Sequence, residues 1–277
     1  MKLQAVILDW AGTVVDHGSR APMGAFVRAF GEFGVAISIA DARGPMGMAK
    51  WDHIRAVGQA PAVAAAWRAK HGRDFAETDV DAIFRVFEPM NVAAVRDHAD
   101  LIPGAVEAIA ALRAQGLKIG ATTGYTRAIM DELAPLATAA GYTPDLTVCA
   151  GDLPAGRPSP LMMWYAMARL GVWPAATVAK VDDTAPGIGE GVAAGTWTVG
   201  ITLTGNEVGL SADELAGLPT AERDAHRARA GAVLQAAGAD YVIDSIADLP
   251  GVVAAIDARL AAGERPTVGA ALLRERQ

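Results

Sequence analysis

Residues 5–16 read AVILDWAGTVVD. An unbroken apolar run, Ala5 to Leu8, ends on Asp9, and a small turn carrying Gly12 follows. A short apolar run closed by a turn reads as a strand buried on both faces, as strands of a parallel sheet are. Ligands of such sheets sit beyond the carboxyl ends of the strands, which is where Asp9 falls. The stretch therefore predicts both the fold and the place of a reactive carboxylate.

Five further segments repeat the pattern: 117–125, 145–152, 176–184, 196–203 and 240–246. Helical patterns at 103–116, 126–141 and 160–171 alternate with them. Strand and helix in that rhythm predict an α/β protein, a Rossmann-like doubly wound parallel sheet. Residues 18–99 break the rhythm with helical patterns and no strand, so they read as an inserted α-helical cap over the strand ends. The expected division is core 1–17, cap 18–99 and core 100–277.

The chain has 277 residues, 52% hydrophobic, with a net charge of −7. That acidic balance disfavours nucleic acid as a partner. No apolar stretch approaches the ~20 residues of a membrane helix, and the apolar start is too short for a signal peptide. Cys149 is the single cysteine, so no disulfide forms within the chain. A cytoplasmic enzyme is the expectation. Lysine is scarce: five of the 24 basic residues, the rest being arginine. Where a lysine is kept, a removable proton is worth looking for.

The polar residues gather at the strand ends. Thr123 and Gly124, after the second strand, offer a hydroxyl and backbone N–H groups to phosphate oxygens. Arg157, in AGRPSP (155–160), offers a permanent positive charge suited to binding phosphate. Asp182 and Asp183, with Asp9, make an oxygen-rich site of the kind Mg²⁺ prefers. The glycine cluster PGIGEGVAAG (186–195) lacks G-x-G-x-x-G spacing, so no dinucleotide site is expected.

Four motifs in order, DWAGTVVD (9–16), ATTGY (121–125), Arg157 and VDDT (181–184), resemble the haloacid dehalogenase superfamily over essentially the whole length. The resemblance implies that Asp9 is a nucleophile forming an aspartyl-phosphate, and that Mg²⁺ is bound by Asp9, Asp183 and the carbonyl of Ala11. Some members carry a second metal-side acid a few residues after VDDT. Here residues 185–188 are APGI, so Asp182 is the candidate for that role, and which aspartate touches metal first stays open. Phosphatases of the superfamily carry a general acid two residues after the nucleophile, and this chain has Ala11.

Cleavage of a phosphorus–carbon bond would explain Ala11. The leaving atom is then carbon, and a protonated imine two bonds away can take the electron pair. PMGMAKWDHI (45–54) supplies the lysine, with Met46, Lys50 and His53 expected on one helix face. His53 or a water would carry protons, Met46 would lend apolar surroundings, and Tyr125 would line the pocket or pack beside it.

Ala11 and the Met-x-x-x-Lys-x-x-His pattern resemble the phosphonatase family of that superfamily, as do GRPSP, AGTWTVG and GNEVGLS. The resemblance implies a Lys50 Schiff base with phosphonoacetaldehyde, release of acetaldehyde and phosphate, a homodimer, and a place in 2-aminoethylphosphonate degradation. Because Lys50 lies in the cap and Asp9 in the sheet, the cap is expected to open and close over the core. The competing expectations are a phosphomonoesterase or phosphomutase on the same fold, and a non-catalytic protein that binds a phosphate ligand.

Overall fold

A computed structural model describes residues 1–267; residues 268–277 of the expected core segment 100–277 lie outside the described residues. The six strands are β1 (Ala5–Leu8), β2 (Lys118–Thr123), β3 (Leu146–Cys149), β4 (Val178–Asp182), β5 (Trp197–Ile201) and β6 (Tyr241–Ile243). They form one parallel sheet in the order β3-β2-β1-β4-β5-β6. All six fall inside the segments expected from the sequence.

The central strand β1 is buried at every position because both faces are covered. Leu8 lies beside Ala121 of β2 and Val181 of β4, so Asp9, Thr123 and the Asp182–Asp183 pair come to one edge. The order reverses at β1, between β2 and β4, which opens a crevice at the carboxyl end of that strand.

Between β1 and β2 the chain forms α1 (Ala21–Glu32), α2 (Ile39–Arg43), α3 (Lys50–Gln59), α4 (Pro61–His71) and α5 (Glu77–Ala94). These helices bury their own apolar cluster, which includes Phe26, Phe30, Ile54, Trp67, Ile83 and Phe87. A core of its own is what lets an insertion keep its shape. The sheet is flanked by α6 (Ala105–Ala114), α7 (Arg127–Ala139), α8 (Leu161–Leu170), α9 (Ala185–Ala194), α10 (Ala212–Ala216), α11 (Thr220–Ala236) and α12 (Leu249–Ala261).

The glycine cluster 186–195 is α9. Its Gly191 packs where a Cβ would come 2.7 Å from Lys180 Cβ, so glycine there serves close packing of helix on strand. No helix among the described residues is long and apolar enough to cross a membrane.

One local expectation fails. Met46 and Lys50 do not share a helix: α3 begins at Lys50, and Met46 lies in the turn before it. Gly47, at φ +91°, is left-handed and stops a helix from running through 46–50.

Candidate active site

Asp9 follows β1 directly, its N–H donating to Val181 O at 2.9 Å, and its side chain is buried. The turn after it depends on Gly12, at φ +80°, where any Cβ would fall 2.0 Å from Asp183 Oδ2. Glycine there lets the carboxylate of Asp183 come up against the backbone of the Asp9 turn. At the end of β2, Thr123 Oγ1 accepts from Tyr125 N at 3.1 Å, which fixes the hydroxyl there. Gly124 makes room for the insertion, since a Cβ there would lie 2.7 Å from Met48 O.

These elements line a small, tight pocket with about 280 Å³ of empty space, the open solvent at its mouth included. Asp9, Ala11, Thr123, Gly124, Tyr125 and Arg157 line it from the core, and Met46 and Lys50 line it from the insertion. Eight of the residues expected from the sequence thus meet in one place. Sequence reasoning missed Ser19, Gly47 and Thr184, which complete the wall. Among the described residues lining it, Asp9 is the only carboxylate.

Below Asp9 lies a buried network of charges. Arg157 Nη2 is 2.8 Å from Asp9 Oδ1, Nη1 is 3.3 Å from Asp182 Oδ2, and Nε is 3.1 Å from Glu190 Oε2. Lys180 Nζ lies 3.0 Å from Asp182 Oδ2 and 3.3 Å from Glu190 Oε2, and donates to Thr122 Oγ1 at 2.7 Å. Lys180 and Glu190 escaped the sequence reading as site residues. The signal for Lys180 was a lysine at the centre of an apolar strand in a chain that prefers arginine.

The two adjacent aspartates differ. Burial alone would raise Asp182, but Arg157 and Lys180 beside it overcome that and hold it below the usual carboxylate value. Its Oδ1 accepts from Thr184 N at 3.0 Å and Thr184 Oγ1 at 2.7 Å. Asp183 meets no cation among the described residues: its Oδ2 accepts from Asn206 N at 2.7 Å and its Oδ1 from Thr13 Oγ1 at 3.4 Å. Burial, then repulsion from Asp9 and Asp182, pushes it well above the ordinary value. Asp9 is raised to about 6 by burial and by Asp182, against the pull of Arg157 and Lys180.

Oxygens of Asp9, Asp182 and Asp183 all lie within 4.8 Å of one another. Hard carboxylate oxygens around a buried, uncompensated Asp183 fit a divalent cation. Gly187 bears on the second acid: a Cβ there would stand 2.0 Å from Asp182 Cγ, so the Asp182 carboxylate fills the space a side chain from the first turn of α9 would use.

Lys50 is 3% exposed. Its Nζ lies 3.7 Å from Met46 Sδ and 5.1 Å from the Tyr125 ring centre. Burial lowers its pKa to about 8, although Asp9 pulls the other way. As the first residue of α3 the amine also sits at the positive end of a helix dipole, which disfavours an ammonium. Tyr125 keeps its proton, since burial and then Asp16 and Asp9 raise it well above its ordinary value.

His53 lies deeper in the insertion and does not line the cavity. Its Nε2 is 2.6 Å from Ala42 O and its ring stacks on Phe26 at 4.0 Å. A carbonyl can only accept, so Nε2 carries the proton and Nδ1 is left as a free acceptor. Burial, and then Lys50, hold its pKa well below the ordinary value, so the ring is neutral.

A parallel sheet with a carboxylate after its first strand, a threonine at the end of its second and an acidic pair at the end of its fourth defines a class of hydrolases. The family model for haloacid dehalogenase-like hydrolases matches residues 3–195. The chain is 52% identical over 264 residues to the phosphonoacetaldehyde hydrolase of Paraburkholderia phytofirmans, covering 95% of this chain and 99% of that protein. It is 51% identical over 267 residues to the phosphonoacetaldehyde hydrolase of Salmonella typhimurium, covering 96% and 99%. A crystal structure of a phosphonoacetaldehyde hydrolase like protein from Oleispira antarctica superposes with a TM-score of 0.94 at 42% identity, covering 96% of each chain. The chain belongs to the phosphonoacetaldehyde hydrolase family of the haloacid dehalogenase-like hydrolases.

Proposed function

We propose that this protein hydrolyses the phosphorus–carbon bond of phosphonoacetaldehyde, giving acetaldehyde and phosphate. The observation that carries the reading is one cavity lined by Lys50 and Asp9 with Ala11 in place of a second acid. A departing alkoxide would find no proton donor of the usual kind there. A departing carbanion needs an electron sink instead, and an amine with a pKa of about 8 can provide one as an imine.

The Lys50 amine adds to the aldehyde and loses water to give a protonated imine. An oxygen of Asp9, its carboxylate held at Oδ1 by Arg157, attacks phosphorus as the phosphorus–carbon bond breaks. The electron pair moves onto carbon and into the imine, leaving an enamine on Lys50 and a phosphoryl group on Asp9. Protonation of the enamine carbon and addition of water release acetaldehyde and free the amine. A second water takes the phosphoryl group as phosphate and restores Asp9. Thr123, Gly124 and Tyr125 hold the substrate from the core side, and Met46 keeps the amine in apolar surroundings. His53, one helical turn on from Lys50 with Nδ1 unpartnered, or a water would carry protons to and from the imine.

Mg²⁺ is the cation proposed for the acidic cluster, where it would offset charge on the phosphonate oxygens. Asp9 and Asp183 would hold it, with the Ala11 carbonyl. Asp182 serves one step behind, its oxygens engaged by Arg157, Lys180 and Thr184.

Residues 18–99 act as a cap, and the enzyme works in the cytoplasm on phosphonate derived from 2-aminoethylphosphonate. It works as a homodimer, for which Trp164 and Tyr165 on α8 and Trp173 in the loop after it are exposed aromatic side chains.

The deciding experiment is release of acetaldehyde and phosphate from phosphonoacetaldehyde with Mg²⁺, in wild type and Lys50→Arg side by side. Equal release of both products, lost in the variant, is expected. Turnover of phosphate esters untouched by Lys50→Arg would instead make it a phosphomonoesterase.

A further inference from the structure

Residues 205–211, GNEVGLS, take no part in the chemistry above, yet three parts of the chain meet on this loop. The linker into the insertion reaches it through His17 Nδ1, 2.8 Å from Leu210 O, and meets the residue before it through Gly18 N–H, which donates to Thr204 O at 2.8 Å. The metal side of the site reaches it through the Asn206 N–H on Asp183 Oδ2. The insertion reaches it through Arg43, the last residue of α2. Arg43 Nη1 donates to Asn206 O at 3.0 Å, to Asn206 Oδ1 at 3.1 Å and to Gly18 O at 2.9 Å.

The loop is shaped to admit that guanidinium. Gly209 has φ +71°, and a Cβ there would fall 2.5 Å from Arg43 Cζ. Among the described residues Arg43 forms no ion pair, and the three oxygens it meets are neutral. Asp183, Asp16 and Glu207 attract it from further off, and Arg20 repels it. A half-buried cation held by amide oxygens from two separate segments is placed by geometry.

We infer that Arg43 is a positioning residue that latches the insertion onto the 205–211 loop and, through Asn206, ties that closure to the setting of Asp183. The inference rests on the function proposed above, because closure matters only if Lys50 must meet Asp9. Arg43 holds the insertion against the loop before substrate arrives and keeps it there while the phosphorus–carbon bond breaks.

The test compares wild type with Arg43→Ala in two arms. Without substrate, backbone hydrogen exchange is followed in α3 and in residues 205–211. Loss of the latch raises exchange in both segments by roughly tenfold or more and leaves β4 and β5 unchanged. With phosphonoacetaldehyde and Mg²⁺, kcat/KM falls roughly 10- to 100-fold, the factor carried by hydrogen bonds to a charged group, and added guanidinium ion restores part of it. Asn206→Ala removes one of the three acceptors and keeps the donor to Asp183, so it raises exchange in the same two segments by a smaller factor. It stands in should Arg43→Ala fail to fold. Unchanged exchange in both segments, or kcat/KM within about twofold of wild type, overturns the latch. If wild type itself fails to cleave phosphonoacetaldehyde, the proposed function falls, and the exchange arm still decides whether Arg43 holds the insertion.

Discussion

Arg157 Nη2 lies 2.8 Å from Asp9 Oδ1, so the residue read from the sequence as a phosphate ligand grips the carboxylate expected to attack phosphorus. Its other contacts run to Asp182, Glu190 and Thr122. Arg157 therefore sets the direction of Asp9 and lends its charge to the cavity from below. Arg157→Lys keeps the charge and loses the planar fork that spans three carboxylates. We expect kcat for phosphate release to fall about 100-fold, the scale of a nucleophile displaced by about an ångström, with a smaller change in KM. A loss confined to KM would mean that Arg157 binds substrate and does not aim Asp9.

The neighbours Asp182 and Asp183 make a second prediction. Asp182 is compensated by Arg157 and Lys180, and Asp183 is not. Asp183→Asn should abolish Mg²⁺ binding measured by calorimetry, while Asp182→Asn should weaken it within the roughly 10- to 100-fold typical of groups that support a ligand. Without metal, Asp183→Asn should also melt higher than wild type near pH 7. The raised pKa of Asp183 means the folded state penalises its charge above the ordinary carboxylate pKa, and the penalty disappears as pH falls through that value. Equal loss of Mg²⁺ affinity in both variants would contradict this division of roles.

How much of this could be read from the sequence depended on whether a residue's neighbours lie next to it in the chain. The strands were legible because each is a short apolar run closed by a polar residue or glycine, and Asp9, Thr123 and Asp183 took their places from the strand ends. The start of α3 was misread because Met46, Lys50 and His53 have helical spacing, and Gly47 breaks it with one left-handed residue. Glu190 was hidden in a different way. It sits in a glycine-rich stretch, and nothing local says that α9 packs it against Lys180 and Arg157. Buried charge pairs join residues far apart in sequence, so their partners appear only when the sheet is assembled. The helix α12 was passed over because it follows the last strand, where the alternation no longer predicts an element.

The Lys50 amine predicts a pH profile. Imine formation needs the neutral amine, and the free enzyme holds its proton up to a pKa of about 8. We expect kcat/KM for phosphonoacetaldehyde to rise about tenfold per pH unit up to that point and then to level off. The same limb should appear in the rate at which borohydride traps acetaldehyde on Lys50, an assay that involves no phosphorus chemistry. A flat profile from pH 6 to 9 would show that the amine does not titrate in this range.

Burying the Lys50 amine also costs stability, with a definite sign. The pKa of Lys50 is lowered by burial from 10.5 to about 8. Between those values the unfolded chain holds a proton that the folded protein lacks, so stability rises with pH across that window. Below pH 8 the full penalty is present, on the order of 3 kcal/mol for a shift of this size. Methionine has a similar length and no charge, and it would pack against Met46, Phe26 and Tyr125. Lys50→Met should therefore lose acetaldehyde release while gaining stability at pH 7, by up to about 3 kcal/mol in denaturant titrations. The gain should shrink as pH rises and vanish near pH 10.5. If Lys50→Met proved less stable than wild type at pH 7, the amine would be well solvated in the native state, and its lowered pKa would be wrong.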